Sequence, residues 1–338
     1  MPLVSVVIPI FRYDWEFALA IESVLRQSFT EFEIIVVDNN ATPAARKVAQ
    51  EYASSHPQKV RVIHEPKQGN ASARNRGITE AKAPLVAFLD SDDLMASTRL
   101  ARQVQSLLDH PEAVFTYSAI SYCSHDGAVL TEKHRRPRIP AWADILHIPF
   151  CDPDQTSMMF RKDAAIAIGL FDERLNPFWL EDTDFSFRMF RVGPFAYIDE
   201  PLTTMRSHSD AELSWRDRNA YPWHSLKNAT LFFEKVRDAY YQPADPANHR
   251  RFMRARADWL RGSAKILFRA ASGAEYGRMM LAAALRSDPT DWQNWKQFAR
   301  SRLPYPLCAK LLKVVPDNPG SRIGLTVALS KAHSVSGK

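Results

Sequence analysis

Residues 85–93, Leu-Val-Ala-Phe-Leu-Asp-Ser-Asp-Asp, decide the fold, because a short apolar strand ends there in three carboxylates. Side chains alternate along a strand, so Asp90 and Asp92 point the same way if the extended conformation continues. Two like charges this close repel each other unless a cation lies between them. Mg²⁺ takes carboxylate oxygens as ligands, often together with substrate phosphates. The stretch therefore predicts a metal–phosphate site at a strand end, with a solvated Asp-rich turn as the alternative.

The length and composition are those of a globular protein with one or two domains. The chain has 338 residues, which suffices for one large domain or two ordinary ones, and it is 46% hydrophobic and 24% charged, as in soluble globular proteins. The three cysteines are far apart and outside any metal-ligand spacing, which argues against a disulfide framework and fits a reducing compartment. We find neither a signal peptide nor an apolar stretch of about 18 residues, and we expect a cytoplasmic protein.

The positive charge is unevenly distributed. The formal net charge is +6, and basic residues are concentrated between positions 250 and 313. Such a segment can attract phosphates, anionic lipid or nucleic acid, and a solvated helical face is the commoner alternative. Residues 302–314 mix apolar and basic side chains, which predicts either a short packed helix or an interfacial membrane segment.

Strands and helices alternate through the first 120 residues. Near-continuous apolar runs predict strands at 4–8, 32–37, 60–64, 85–89 and 113–118. Helical spacing predicts helices at 14–27, 43–54, 71–81 and 98–108. This alternation indicates an α/β protein with a mostly parallel sheet that is covered on both faces.

The pattern changes along the second half of the chain. Strands are expected at 157–161 and 195–198, and helices at 162–168, with Gly169 as its C-cap, and at 181–191. From there on helices dominate, at 225–240, 248–272, 275–286, 294–302 and 307–314. We predict an α/β catalytic-type domain over residues 1–218 and a helical region over residues 219–338.

Polar clusters follow successive strands. Pro9 and Phe11 follow the first strand, Asp38 the second and the carboxylate run the fourth, and ligands of open α/β sheets bind at these carboxyl ends. Residues 69–77, just before the carboxylates, bring Arg74 to a helix N-terminus, which suits an anionic ligand. A P-loop is absent, and no Gly-x-Gly-x-x-Gly follows the first strand, which disfavours a dinucleotide-binding fold.

The motifs together resemble the family 2 glycosyltransferases of the GT-A fold over about residues 3–215. They are VSVVIPIF at 4–11, SVLRQS at 23–28, EIIVVD at 33–38, GNASARNRG at 69–77, FLDSDD at 88–93, WLED at 179–182, and RSH at 206–208 followed by ELS at 212–214. The resemblance implies the Rossmann-like, mostly parallel sheet of the nucleotide-diphospho-sugar transferases. The helical C-terminal extension carries no diagnostic motif.

The resemblance implies a site for the nucleotide of a UDP- or GDP-sugar donor. Pro9, Phe11 and Asp38 would line the pocket for the base, and Asp38 would accept a hydrogen bond from a base N–H. Arg74 would lie beside this pocket. On general grounds, Asp38 is alternatively a turn residue after a strand, and Arg74 alternatively pairs with a nearby glutamate.

The resemblance also implies the reacting centre. Asp90 and Ser91 would contact the nucleotide sugar, with Asp90 facing the ribose or the metal. Asp92 of the Asp-x-Asp pattern would bind Mg²⁺ or Mn²⁺ bridging the diphosphate. His208 would be a further metal or diphosphate contact, with a plain loop histidine as the alternative, and Asp182 would be the general base.

The chemistry of sugar transfer agrees with these roles. A divalent ion stabilises the charge of a departing diphosphate, and the acceptor hydroxyl needs a base within hydrogen-bond reach. Asp182 is the strong candidate for this base, and one base with one in-line displacement predicts inversion at the anomeric carbon. The alternative for Asp182 is a helix cap, while neighbouring Glu181 is expected only to shape the acceptor site.

Two departures from the family pattern qualify the prediction. Asn39-Asn40-Ala41-Thr42 replaces a more acidic, Ser-containing loop, which leaves the metal or ribose contacts of this loop open. The Gln-x-x-Arg-Trp signature of processive synthases is missing after Asp182, so we expect transfer of a single sugar.

These observations predict a metal-dependent inverting glycosyltransferase. A glycan or glycolipid acceptor is expected, in surface-polysaccharide or lipopolysaccharide biosynthesis, with the protein in the cytoplasm or peripherally at the inner face of the membrane. A nucleotidyltransferase is one alternative. A nucleic-acid-binding protein using the basic helices is another, but residues 1–215 offer no aromatic-basic stacking platform, so no nucleic acid partner is expected.

Overall fold

The computed structural model describes residues 1–12, 15–124, 129–133, 154–176, 180–206, 222–240, 246–268, 274–304, 307–308 and 311–312. The chain divides into two compact units. The first comprises Met1–Ile139 and Phe150–Arg206, and the second comprises Pro140–Pro149 and Ser207–Lys338. The boundary predicted near residue 218 lies outside the described residues.

One mixed sheet organises the first unit. Its strands are β1 Val4–Ile10, β2 Phe32–Asp38, β3 Val60–His64, β4 Leu85–Phe88, β5 Leu94–Met95, β6 Phe115–Cys123, β7 Val129–Lys133, β8 Met158–Arg161 and β9 Phe195–Arg206. The strand order is β3-β2-β1-β4-β8-β6-β9-β5, with β7 paired to β6. Strands β1 to β4 are parallel and β9 is parallel to β6, whereas β8 runs antiparallel between β4 and β6. The mostly parallel sheet predicted from the sequence is confirmed.

Helices cover both faces of this sheet. They are α1 Trp15–Leu25, α2 Pro43–Ser55, α3 Asn70–Glu80, α4 Arg99–Asp109, α5 Lys162–Ala167 and α6 Glu181–Val192. Alternate residues of β1 enter different cores: Val6 and Ile8 pack with Phe17 of α1, whereas Val7 packs with Ile78 of α3. Two cores on opposite faces explain why the parallel strands are apolar throughout.

Strand β9 continues well past its predicted end at residue 198. The register against β6 shifts where Ser118 pairs with Ile198 but Ala119 pairs with Pro201. This bulge accommodates the extra residues Asp199 and Glu200. A second shift skips Leu202, and pairing then continues from Thr203 to Arg206. The extension matters for the site, because it brings Arg206 beside the carboxylate run.

Helix α3 lies close against strand β1. A Cβ atom at Gly77 would meet Val7 Cγ1 at 2.2 Å, so this position has room only for glycine. At the start of the helix, Gly69 has φ +137° and a Cβ there would meet the Asn176 side chain at 2.3 Å. Both glycines of the predicted 69–77 motif are therefore required by close approach.

The described part of the second unit is helical. It comprises α7 Pro222–Tyr240, α8 Pro246–Leu267, α9 Ala274–Ser287 and α10 Trp292–Ser301. Its core includes Phe233, Phe252, Trp259 and Met280. None of the helices described in either unit has the length and hydropathy needed to cross a bilayer.

Candidate active site

The carboxylate run forms a tight turn instead of continuing strand β4. The strand ends at Phe88, and Asp93 N donates to the Asp90 carbonyl at 3.1 Å. The extended conformation that would place Asp90 and Asp92 side by side therefore does not persist. Asp90 N donates to Thr156 Oγ1 at 3.2 Å, and the buried Asp93 accepts from Arg206 N at 3.0 Å.

Arg99 is a buried cation beneath this turn, and its role was not predicted from the sequence. Its guanidinium donates to the carbonyl oxygens of Phe88, Thr156 and Met158 and to the side chain of Gln103. Burial lowers the pKa of Arg99 to about 9, against the opposing effect of the Asp93 and Asp90 charges. An arginine in a helix carries no sequence signal that would distinguish such a buried position from a surface one.

Arg74 joins the turn to the first residues of α6. Its Nη2 lies 3.0 Å from Asp90 Oδ1 and its Nη1 3.5 Å from Glu181 Oε1. Burial opposes its charge, but the charges of Asp90, Glu181 and Asp182 outweigh burial and raise its pKa. Its guanidinium carbon also lies 5.7 Å from the ring centroids of both Phe88 and Phe171. The alternative that Arg74 pairs with a glutamate is thus realised, together with a second pair to Asp90.

Glu181 is buried at the N-terminus of α6, where its carboxyl group also accepts from Asn70 Nδ2 at 3.2 Å. Burial, followed by the charge of Asp182, raises the pKa of Glu181 to about 7, and Arg74 opposes this rise. Among the described residues, no group is within hydrogen-bond distance of Glu181 Oε2 or Arg74 Nε. Glu181 is therefore a titratable part of this cluster and more than a shape-determining residue.

Asp182 lies in the first turn of α6, next to Glu181 and partly exposed. Its Oδ1 accepts from Thr183 N at 2.7 Å, while the N-cap position is occupied by Leu180 with φ 72°. Asp182 is thus not the N-cap residue. Gln155 Nε2 donates to the Asp182 carbonyl at 3.3 Å, which ties this turn to the segment beside Asp90.

The residues expected to bind the nucleotide lie at the ends of β1 and β2. Phe11 is 39% exposed and follows β1, whose last residue Ile10 is paired with Asp38. Asp38 is 5% exposed and accepts from Ala41 N at 2.8 Å and from Arg46 Nε at 2.6 Å. Although burial opposes it, these hydrogen bonds and the charge of Arg46 lower the pKa of Asp38. Pro9, within β1, is paired with Val37.

Asn39 holds the loop that leads into α3. Its side-chain amide donates to the carbonyls of Glu65 and Lys67 at 2.9 and 2.7 Å. Its carbonyl oxygen accepts from Gln68 Nε2 at 3.1 Å and Gly69 N at 2.8 Å. The asparagine that departs from the expected acidic loop thus has a structural role, which its sequence position alone did not indicate.

The predicted metal residues are only partly described. Asp92 is half-buried in the turn, and its carbonyl oxygen accepts from Arg206 Nε at 3.3 Å. Ser91 is 7% exposed. His208 lies outside the described residues. Within the described ranges, no group of three or more His, Cys, Asp or Glu side chains is arranged to hold a metal ion.

Comparison with known proteins identifies this domain. Residues 5–169 match the family model for glycosyl transferase family 2. The putative teichuronic acid biosynthesis glycosyltransferase TuaG of Bacillus subtilis is 31% identical over 146 residues, which are 43% of this chain and 57% of TuaG. The glycosyltransferase RP339 of Rickettsia prowazekii is 29% identical over 219 residues, which are 62% of this chain and 65% of that protein. Each match spans less than two thirds of the relative's own length.

Solved structures share the fold at low sequence identity. Residues 1–349 of Staphylococcus aureus TarS in complex with UDP-GlcNAc give a TM-score of 0.54 at 12% identity, covering 89% of this chain and 91% of that one. The mannosyltransferase PcManGT of Pyrobaculum calidifontis, in complex with GDP-Man and Mn²⁺, gives 0.53 at 16% identity, covering 93% and 84%. Residues 5–169 therefore match glycosyl transferase family 2, and the unit that contains them has the GT-A fold.

Proposed function

We propose that the protein is a metal-dependent inverting glycosyltransferase that moves one sugar from a nucleotide-sugar donor to a hydroxyl acceptor. The observation that carries this proposal is the Arg74 bridge between Asp90 after β4 and Glu181 at the start of α6. Through this bridge, the turn that would receive the donor diphosphate adjoins the turn that bears Asp182. A direct displacement needs both groups in one site, with the leaving group and the general base on opposite sides of the anomeric carbon.

Asp182 is the proposed general base. It is partly exposed, so an acceptor hydroxyl can approach its carboxylate, and a general base must be within hydrogen-bond reach of the proton that it accepts. The hydroxyl would transfer its proton to Asp182 while its oxygen attacks the anomeric carbon. The bond to the diphosphate breaks on the opposite side, which inverts the anomeric configuration.

The donor would be a UDP- or GDP-sugar. Pro9, Phe11 and Asp38 would contact its base at the ends of β1 and β2, and Asp90 and Ser91 would contact the nucleotide sugar beside Arg74. In support, TarS and PcManGT share the fold and their structures contain UDP-GlcNAc and GDP-Man, respectively. Asp38 retains lone pairs for a base N–H beyond its bonds to Ala41 and Arg46.

The described residues fit a metal ion that arrives with the donor. Mg²⁺ is usually held by one or two carboxylates together with water and substrate phosphates, so a preformed cage of three protein ligands is not required. Asp92 would supply the carboxylate and His208 a further contact. When bound, Mg²⁺ or Mn²⁺ would stabilise the negative charge of the leaving diphosphate.

The acceptor is proposed to be a glycan or glycolipid in surface-polysaccharide biosynthesis. The support is the relative TuaG, whose name assigns it to teichuronic acid biosynthesis. The missing processivity signature favours the addition of a single sugar. A glycolipid acceptor would require the protein to contact the inner face of the membrane from the cytoplasm.

A thermal-shift screen of UDP- and GDP-sugars, with and without Mn²⁺, tests donor and metal. A ligand that binds the folded state raises the melting temperature, and we expect one donor class to do so only with the metal. Asp92→Asn should abolish this metal dependence. Asp163→Asn is the control, because it makes the same substitution at an exposed carboxylate in the first turn of α5. An unchanged metal response in Asp92→Asn would contradict the assignment.

The base is tested with Asp182→Asn, again against Asp163→Asn. The first variant should keep the donor-dependent shift in melting temperature and lose transfer by about 10²-fold or more, measured as release of the nucleoside diphosphate. Asp163→Asn should transfer at the parental rate. Transfer at the parental rate by Asp182→Asn would place the base elsewhere, and NMR of the product's anomeric proton would decide between inversion and retention.

A further inference from the structure

Helix α10 of the second unit turns three uncharged polar side chains, Asn294, Gln297 and Ser301, inward and its tryptophans outward. Asn294 and Ser301 are fully buried, whereas Trp292 is 60% and Trp295 54% exposed. Positions three apart on a helix share a face, so the two indoles are neighbours on the outward side. A helix at the surface of a globular protein normally has the opposite arrangement.

The orientation of α10 is fixed by its buried polar contacts. Arg261 of α8 donates to Asp291 Oδ2 at 2.6 Å and to Asn294 Oδ1 at 2.7 Å. Asn294 Nδ2 donates in turn to the Asp288 carbonyl at 2.8 Å, and Arg278 Nε of α9 donates to the Ser301 carbonyl at 2.8 Å. Rotating the helix to bury the indoles would break these bonds and leave buried polar groups without partners.

The sequence that begins at the exposed indoles is basic. The sequence from Trp292 to residue 316 contains no Asp or Glu, and its basic residues are Lys296, Arg300, Arg302, Lys310 and Lys313. The Lys296 ammonium lies 4.6 Å from the centroid of the Trp292 ring, and the exposed Arg302 guanidinium lies 4.7 Å from the centroid of the Phe298 ring. Asp288 and Asp291 precede the helix, and the described residues on its outward side combine large aromatic surface with Lys296 and Arg302.

We propose that this outward side, formed by Trp292, Trp295, Lys296 and Arg302 and here called the α10 tryptophan face, binds the surface of a membrane that contains anionic phospholipid. Tryptophan is enriched where headgroups meet acyl chains, and basic side chains are attracted to anionic headgroups. The indoles of the face thus suit the boundary between headgroups and acyl chains, and its basic side chains suit the anionic headgroups above that boundary.

The details of the indoles favour lipid over nucleic acid. Trp295 Nε1 donates to the Pro289 carbonyl at 2.8 Å. Because the only polar group of this indole is hydrogen-bonded within the protein, its ring carbons can enter an apolar environment without leaving the N–H unpaired. A nucleic acid base would stack on an open ring face, but Lys296 already covers one face of Trp292. Insertion between lipid headgroups leaves this cation beside the phosphates.

Vesicle flotation of the full chain tests the proposal. The protein should float with vesicles of phosphatidylglycerol and phosphatidylcholine, and less with phosphatidylcholine alone or at high salt. The double variant Trp292→Ser/Trp295→Ser should lower the bound fraction at least about tenfold, because binding scales with the apolar area inserted. Trp292→Phe/Trp295→Phe, which keeps aromatic rings, should retain most of the binding.

Two further variants distinguish binding through the α10 tryptophan face from nonspecific hydrophobic binding to vesicles. Lys296→Glu/Arg302→Glu should weaken binding to the anionic vesicles while leaving both indoles in place. The control is Leu108→Ser/Ile166→Ser, which removes apolar side chains that are 66% and 55% exposed in the first unit and should change nothing. Circular dichroism melting of every variant verifies that the helices remain folded.

Several results would overturn the proposal. Parental protein that does not float with anionic vesicles would do so, as would equal flotation of the serine double variant. A parental dimer that the serine double variant converts to a monomer would assign the face to a second copy of the chain. Tight binding of a single-stranded oligonucleotide, lost in the same variant and without vesicle binding, would assign it to nucleic acid.

Discussion

Arg74 and Glu181, which are 107 residues apart in the sequence, form a buried ion pair with 3.5 Å between Nη1 and Oε1. Their side chains are 6% and 4% exposed, and Asp90, on the other side of the same guanidinium, is 37% exposed. One cation from α3 thus compensates carboxylates from two other segments. The stability of this region and the protonation of Glu181 therefore depend on each other.

Arg74→Met tests how strongly the guanidinium holds this region together. Without it, buried Glu181 would face the charges of Asp90 and Asp182 with no compensating cation, and removing one partner of a buried pair costs about 3–5 kcal/mol. We expect a loss of this size in the free energy of unfolding, measured by urea denaturation at pH 8. Arg26→Met is the control, since Arg26 is 65% exposed and pairs with Glu22, and it should cost less than about 1 kcal/mol. Equal losses would show that the buried charge is dispensable.

Glu181 should make stability fall as the pH rises through neutrality. Its pKa in the folded state is about 7, above the ordinary value of 4.5, because of burial and the charge of Asp182. Between these two pH values the folded protein holds a proton that the unfolded chain has released. The corresponding contribution, on the order of 3 kcal/mol, is fully present below pH 4.5 and is lost as the pH rises through 7.

Glu181→Gln removes this titration and isolates it from the other groups. Between pH 5 and pH 8, the free energy of unfolding of the parent should decline relative to that of the variant, as measured by urea denaturation at each pH. Glu33→Gln is the contrasting control. Although burial opposes it, hydrogen bonds from Ser5, Lys82 and Arg61 lower the pKa of Glu33, so its contribution is lost only in acid. The difference in the free energy of unfolding between Glu33→Gln and the parent should stay constant from pH 5 to pH 8. If the difference between Glu181→Gln and the parent were also constant over this range, the pKa of Glu181 would not be raised.

The first four strands and helices could be predicted from the sequence, because each strand is an apolar run and each helix has a clear periodicity. The direction of β8 could not, because a four-residue apolar strand reads the same whether it is parallel or antiparallel. The length of β9 also escaped prediction, since Asp199 and Glu200 interrupt its apolar pattern at the bulge. Long-range pairing decides both features.

The candidate site was predictable in its position and less so in its contacts. The placement of Asp38 and Asp90 at the carboxyl edge of the sheet follows from the parallel direction of β1, β2 and β4, which the alternating pattern indicates. The Arg46 partner of Asp38 and the carbonyl contacts of buried Arg99 depend on the three-dimensional arrangement of neighbouring segments. A sequence pattern shows that a cation is nearby but does not show which group it neutralises.

Asn39→Asp tests the loop between β3 and α3. The carboxylate would retain the shape of the amide but could not donate to the carbonyls of Glu65 and Lys67, which it would face as a negative charge. We expect a loss of roughly 2 kcal/mol or more in the free energy of unfolding, measured by urea denaturation. Asn40→Asp is the adjacent control. Its side chain bonds are exposed and its φ of 59° is tolerated by Asp, so its cost should be well under 1 kcal/mol. An unchanged free energy of unfolding in Asn39→Asp would show that the hydrogen bonds of Asn39 to this loop do not stabilise the fold.

Gly77→Ala tests the close approach of α3 to β1. The added methyl would lie 2.2 Å from Val7 Cγ1, within a core where both elements are held by many neighbours. Overpacking of this kind costs about 1–3 kcal/mol, which exceeds the helix-propensity gain of up to about 1 kcal/mol. We therefore expect a net loss in the free energy of unfolding, measured by urea denaturation.

Matched variants distinguish this clash from a general effect of alanine. Gly262→Ala, in helix α8 with open space around the new methyl, should gain about 0.5–1 kcal/mol from propensity alone. Val7→Ala removes Cγ1 and Cγ2, the two atoms nearest to the new methyl. Gly77→Ala should therefore cost less in the Val7→Ala background than in the parent, by about 1 kcal/mol or more. Two results would contradict this close approach. One is that the effects of Gly77→Ala and Val7→Ala on the free energy of unfolding are additive, and the other is that Gly77→Ala stabilises the protein as Gly262→Ala should. Either result would mean that α3 and β1 are farther apart than the 2.2 Å approach implies.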